Sequence, residues 1–252
     1  MKVTCIGSGS DGNCWYCETD KGTGFFVDAG CPPKTIIDLG IDIANKPFFV
    51  THEHGDHAKY AMGLHEQYGT TIIATPGTLQ AIGLLPRNKE IEDVPLLTLG
   101  SPDMLGPFDT ILSIPVIHNA AEPCAFYLHV DGESILYLMD AGQIPELPRV
   151  PLHTLIVEAN YTPGRMAENA EKSKSELYVS GRVSSGVGHL SSREACKVAA
   201  RYFPSLELLI FGHLSKNNFD IVEFSRDDQI PKQVKKKAKF ATAGIAWNTI
   251  PF

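Results

Sequence analysis

Short apolar runs, cut by glycine, proline and polar turns, recur along the chain and predict a strand-rich α/β protein rather than a helical bundle. Residues 2–7, 13–19 and 23–28 read as strands, and Pro47-Phe48-Phe49-Val50-Thr51 is a run of the fully buried kind. Residues 32–39 suit a short helix, with Pro33 tolerated in its first turn. Helix, strand and helix follow across 57–68, 71–75 and 77–84. Three further strands cover 110–118, 124–130 and 134–139, with the Asp131-Gly132 hairpin signal between the last two. Leu152 to Glu158 is another buried strand, 162–188 a polar loop with some helix, and Ser191 to Tyr202 an amphipathic helix. Leu206 to Gly212 then forms a strand ending at His213, and a final strand covers about 240–249. Strands cluster in both halves with helices between them, which predicts two facing sheets with helices outside in one domain spanning 1–252.

Composition narrows the class. With 43% hydrophobic and 20% charged residues in 252, the chain can build a sizeable core without staples. No apolar run approaches the roughly 20 residues that span a bilayer, and Met1 to Ile6 is interrupted too soon for a signal peptide. A cytoplasmic protein without a membrane partner is expected. The net charge of −7 argues against nucleic-acid binding through a globally positive surface but leaves room for a local basic site. The densest basic stretch, with lysines at 232, 235, 236, 237 and 239, admits two roles: a solvated linker before the last strand, or a phosphate-contacting patch. The six cysteines are expected to be reduced, and the lone Cys14–Cys17 CxxC is expected to be two packed thiols rather than half of a zinc site. Gly7-Ser8-Gly9-Ser10-Asp11-Gly12 satisfies GxGxxG, but the strand-like Asn13-Cys14-Trp15-Tyr16-Cys17 follows where a dinucleotide fold needs a helix. A hairpin turn is the expected use of those glycines.

Thr51-His52-Glu53-His54-Gly55-Asp56-His57 carries the chemistry. Three imidazoles and two carboxylates directly after a buried strand are expensive to bury without a partner. At a strand end, alternate residues His52 and His54 point to one side; once the chain turns, Asp56 and His57 can face a second position nearby. Imidazole with carboxylate suits first-row metals such as zinc, manganese or iron.

This HxHxDH segment, with Asp28 in Val27-Asp28-Ala29-Gly30 and with His118, Asp140 and His213 each behind a hydrophobic run, resembles the metallo-β-lactamase superfamily from end to end. The resemblance implies a four-layered αββα fold, two facing mixed sheets with helices outside. It implies His52, His54 and His118 on one divalent ion, Asp56, His57 and His213 on the other, Asp140 bridging both, and Asp28 supporting the metal loop. The remaining histidines, His65, His129 and His153, match nothing and are expected to be structural or at the surface.

A closer likeness is to the YycJ-like (WalJ) branch, a group of nucleases. It rests on the opening turn Gly7 to Cys14, on His118-Asn119-Ala120-Ala121-Glu122-Pro123, and on the paired segments Val187-Gly188-His189-Leu190-Ser191 and Gly212-His213-Leu214-Ser215-Lys216-Asn217-Asn218. Asn119 stands where that branch usually has aspartate, and Ala141-Gly142-Gln143 is a local variation. Glu158 and His189 are similar to the glutamate and histidine of tRNase Z enzymes, where they assist proton transfer; Glu158 could equally hold an active-site loop. The resemblance implies a hydrolase in which two metals activate water against a phosphodiester, DNA above all, with Asp56 and Asp140 helping to orient the nucleophile and His189 protonating the leaving oxygen. Thioester or lactam hydrolysis is the alternative on the same metal core, and a metal-binding scaffold without turnover is the third. Segment 162–188 is expected to form part of the substrate wall.

Overall fold

The apolar runs of the two halves build two separate mixed sheets. The computed structural model describes residues 1–86, 96–172 and 188–248. In the first sheet β1 (Lys2–Gly7), β2 (Cys14–Glu18), β3 (Gly24–Val27), β4 (Pro47–Phe49), β5 (Thr71–Ala74) and β6 (Leu97–Leu99) lie side by side in chain order, and β13 (Ala246–Asn248) closes the free side of β1. The second sheet runs β7 (Phe108–Pro115), β8 (Cys124–Val130), β9 (Glu133–Leu138), β10 (Thr154–Glu158), β11 (Leu208–Gly212), β12 (Ala238–Phe240). Each sheet begins antiparallel and turns parallel in its middle, at β3–β4–β5 and at β9–β10–β11–β12.

Adjacent residues in the central strands face different layers, which is why those strands read as unbroken apolar runs. Phe25, Phe49, Phe126, Tyr137, Ile156 and Ile210 fill the space between the sheets. Phe26, Phe48 and Ile72 face outward and pack on α1 (Pro33–Asp38), α3 (Ala61–Tyr68) and α4 (Pro76–Ala81) through Ile36, Leu64 and Leu79. Leu136, Leu155 and Leu209 pack outward on α6 (Ser192–Tyr202), α7 (Ile221–Arg226) and α8 (Lys232–Lys237) through Val198, Phe224 and Val234. The result is helix, sheet, sheet, helix, the layering expected. Three further elements are described: the single turn α2 (Gly55–Ala58), the ten-residue α5 (Pro163–Lys172) and a 3-10 turn at Pro102–Leu105.

Most elements fall where the pattern puts them. At the β8–β9 hairpin Asp131 and Gly132 both take positive φ, 56° and 89°, as the Asp-Gly signal requires. The 7–12 glycine segment joins β1 to β2 as a hairpin, with no helix behind it. Two expectations need correction. The single final strand of 240–249 is instead two: β12 joins the second sheet and β13 the first, so the chain end covers an edge of each; position 249 lies outside the described residues. The lysine run is not a linker: Lys232 to Lys237 form α8 and Lys239 lies in β12; Lys235 Nζ donates to the carbonyls of Ser225 and Asp227, and Lys237 Nζ to that of Leu206. Cys14 and Cys17 are both packed in the core, on opposite faces of β2 because residues three apart in a strand face opposite ways: Cys14 lies with Cys31 under the outer helices and Cys17 between the sheets. Within 162–188 the described part is largely α5, and 173–187 lies outside the described residues.

Candidate metal centre

Several strands end at one pole, each releasing a site residue. Asp28 follows β3, the His52–His57 segment follows β4, Asp140 follows β9, Glu158 closes β10 and His213 follows β11. Asp28, Asp140 and His213 hold positive φ of 61°, 48° and 50°. Among described non-glycine residues only Asn45 and Asp131 share that conformation. A left-handed backbone costs a residue with a side chain on the order of 1–2 kcal/mol, so strain concentrates where the strands turn their side chains into one space.

His52, His54 and His118 form the first donor set, their ligating atoms all within 4.8 Å of one another. His54 Nδ1 lies 3.3 Å from His118 Nε2, while His54 Nε2 sits 3.1 Å from the Asn119 carbonyl, to which it donates. Only the main chain of Asn119 is used there, so asparagine in place of aspartate leaves the contact intact. Glu53 ties the same loop down by accepting from the Ala121 N–H at 2.8 Å.

Asp56, His57, Asp140 and His213 form the second set. His57 is fully buried; its Nδ1 donates to Asp28 Oδ2 at 2.7 Å, and its Nε2 faces Asp140 Oδ2 at 2.8 Å. Asp28 Oδ2 also accepts from the Tyr137 hydroxyl at 2.8 Å, and Oδ1 from the Thr51 N–H and hydroxyl at 2.9 and 2.8 Å. This is the orientation of a ligating histidine by a carboxylate behind it. Asp56 is placed by a close backbone crossing: a Cβ on Gly30 would lie 1.8 Å from the Asp56 carbonyl, so only glycine fits.

His189 and Glu158 stand beside Asp140 and His213. His189 Nδ1 is 2.9 Å from Glu158 Oε2 and 3.0 Å from Asp140 Oδ1. One N–H cannot point at both; it is directed at Glu158, and Asp140 Oδ1 is left without a hydrogen bond. Glu158, fully buried, bonds in two directions: Oε1 accepts from the Ala141 and Leu190 N–H groups, holding two loops, while Oε2 lies against His189 Nδ1.

The donors fit divalent cations. His52 Nε2, Asp140 Oδ1 and His213 Nε2 are buried yet have no hydrogen-bond partner, a costly arrangement unless another group completes it. Two ligand atoms about 2.1 Å from one ion lie roughly 3.0–3.4 Å apart; His57 Nε2 is 2.8 Å from Asp140 Oδ2 and 3.5 Å from Asp56 Oδ2, and His52 Nε2 is 3.5 Å from Asp140 Oδ2. The charges agree. Burial and then His57 lower the pKa of His52 well below the usual histidine range, and burial lowers that of His118; both shifts favour the neutral imidazole that a cation would need. Burial opposes ionisation of Asp140, but His213 and His57 hold it well below the usual carboxylate range. Burial likewise works against His57, yet Asp28 and Asp140 raise it well above the ordinary value. For His189 the loss of solvent lowers the pKa, but Asp140 and Glu158 win and lift it to about 10.

Sequence reasoning missed Asn13, Asn160, Thr51 and Tyr137. Asn13 Nδ2 lies 3.0 Å from His57 Nε2, and Asn160 Nδ2 3.1 Å from His213 Nδ1. Asn160 directly follows the Glu158-Ala159 pair and Asn13 the glycine turn, but nothing in their own types marks them. His65, His129 and His153 lie apart from the centre, bonded to the Thr70 carbonyl, Asp109 and Ser134 respectively.

No protein-family profile matches the chain. It is 30% identical over 235 residues to the exodeoxyribonuclease WalJ of Streptococcus pneumoniae, covering 86% of this chain and 83% of that one. It is 26% identical over 228 residues to the exodeoxyribonuclease YycJ of Bacillus anthracis, covering 86% and 84%. Among solved structures, the metallo-β-lactamase fold protein YhfI of Bacillus subtilis superposes with a TM-score of 0.62 at 19% identity, over 98% of this chain and 99% of that one.

Proposed function

The chain belongs to the metallo-β-lactamase-fold family of the WalJ and YycJ exodeoxyribonucleases, and on that premise we propose that it is a dinuclear metal-dependent phosphodiesterase that degrades DNA from its ends. The observation that carries this reading is the His189–Glu158 pair set against two adjoining donor sets. His52, His54 and His118 would hold one ion and Asp56, His57 and His213 the other, with Asp140 beside both sets. Zinc, manganese or iron bound there would activate water and neutralise charge on the non-bridging oxygens of a phosphodiester.

The chain's own groups do the rest. Asp56 orients the attacking water. Because Glu158 engages His189 Nδ1, the proton offered to the substrate is the one on Nε2, delivered to the leaving alkoxide. An alkoxide needs that proton; the thiolate of a thioester departs without it, so the pair favours a phosphodiester over the acyl substrates of related folds. A scaffold without turnover gives no use for a positioned acid beside the ions. No described helix is long and apolar enough to cross a membrane, and a nucleic-acid substrate needs none.

The test is a side-by-side assay of the manganese- or zinc-loaded protein on single-stranded DNA, bis(p-nitrophenyl) phosphate, a glutathione thioester and a β-lactam. Phosphodiester cleavage should dominate; rapid thioester or lactam turnover without it would overturn the reading.

A further inference from the structure

The glycine turn set aside as a nucleotide-binding loop returns here in another part. It forms one rim of the metal centre: the Asn13 N–H donates to the Asp56 carbonyl at 2.6 Å, and Ser8 Oγ accepts the His213 N–H at 2.8 Å. The facing rim is the loop after β11, fixed by the Ser215 N–H on the Asn160 carbonyl and by Arg165 and Asn169 of α5 on the Asn217 carbonyl. Lys216 stands on that loop three residues beyond His213, so its Cα lies within about 11 Å of the Cα of His213. Its ammonium reaches across to Asp11 Oδ2 at 2.6 Å, and both side chains are largely in solvent, 80% and 83% exposed.

We propose that Lys216 is the residue that grips the phosphate next to the scissile one, and that Asp11 holds its place until the substrate arrives. This rests on the phosphodiesterase reading. The protein carries a net charge of −7, and two divalent ions at the centre would be largely offset by the carboxylates Asp56, Asp140 and Glu158 around them, so a polyanion needs a further local cation beside the centre. Among the described residues, Arg165 is the other cation bonded to this loop, and it is tethered to Asn217 and Glu168. The ammonium of Lys216 has only an exposed carboxylate to release, and such pairs contribute little to stability, so a phosphate oxygen can replace it. Asp11 therefore competes with DNA: it lowers affinity while keeping the lysine extended across the mouth.

The competition gives opposite signs to two substitutions. The metal-loaded full chain is titrated into a fluorescein-labelled, phosphorothioate-backbone single strand, and anisotropy is followed from 50 to 200 mM salt. Lys216→Gln should weaken binding on the order of fivefold to tenfold at 50 mM and reduce the slope of log K against log salt by about 0.7, the share of one phosphate on a single strand. Asp11→Asn should tighten binding about twofold to fivefold. A Lys216→Gln protein with the parent affinity and slope overturns the proposal. So does Asp11→Asn weakening binding as Lys216→Gln does, since the pair would then only brace the two loops. Turnover of bis(p-nitrophenyl) phosphate by the unsubstituted protein, measured alongside, judges the phosphodiesterase reading separately.

Discussion

Asp28 touches no proposed ion, yet replacing it by asparagine should empty half of the centre. Its buried carboxylate accepts four hydrogen bonds: two from Thr51 on Oδ1, and those of His57 Nδ1 and the Tyr137 hydroxyl on Oδ2. Asparagine is nearly the same shape and tolerates the φ of 61°, so the backbone need not move. The amide oxygen can keep the Thr51 pair, which leaves the NH2 group facing two donors. Tyr137 escapes by turning its hydroxyl. His57 escapes only by moving its proton from Nδ1 to Nε2, the nitrogen that faces Asp140 Oδ2 at 2.8 Å and must be bare to ligate. A hydrogen bond to a charged partner contributes about 1.5–3 kcal/mol, equivalent to roughly a 10- to 150-fold loss of affinity. That matches the usual 10- to 100-fold cost of losing a carboxylate behind a metal ligand. Calorimetric titration of metal-free Asp28→Asn should show the site of Asp56, His57 and His213 weakened by this factor, while the set of His52, His54 and His118 keeps its affinity. Parent affinity at both sites, within twofold, would refute the tautomer argument.

His54→Ala and His213→Ala should each retain about one ion by elemental analysis, because their donors belong to different sets, and each should unfold at a lower temperature than the fully loaded parent. Two ions per chain in either would break the assignment. His189→Ala should keep its metals yet lose roughly 10²–10⁴ in turnover on an alkoxide-leaving diester, with a smaller loss when nitrophenolate leaves; equal losses on both would remove the acid role. Lys235→Ala should destabilise the fold by about 1–2 kcal/mol in urea melts, since its ammonium caps two carbonyls. Lys232→Ala, at an exposed position of the same helix, should change stability by less than about 0.5 kcal/mol.

What the sequence disclosed followed from local rules. The runs at 47–51 and 152–158 are continuous because both faces of those strands are covered, and the histidine cluster stood out because so many polar groups directly behind a buried strand demand a partner. Asp140 and His213 could be located only as the first polar residues after apolar runs, by resemblance rather than by spacing. Their left-handed backbone, which aims them at the centre, leaves no mark in residue type, since neither is glycine. The supporting contacts were hidden for a different reason. Tyr137 reads as one more inter-sheet aromatic, and its hydroxyl meets Asp28 from 109 residues away. The final strand was misjudged because 238–248 carries enough apolar residues for one strand, while only tertiary packing reveals that the chain crosses from one sheet to the other.

The central claim is that two ions, one on each donor set, act together on a phosphodiester. It is tested most directly by titrating metal-free protein with manganese while following nucleotide release from end-labelled single-stranded DNA. Turnover should stay near zero through the first equivalent and rise to its maximum with the second. Full turnover at one equivalent, or none at any, would contradict the account.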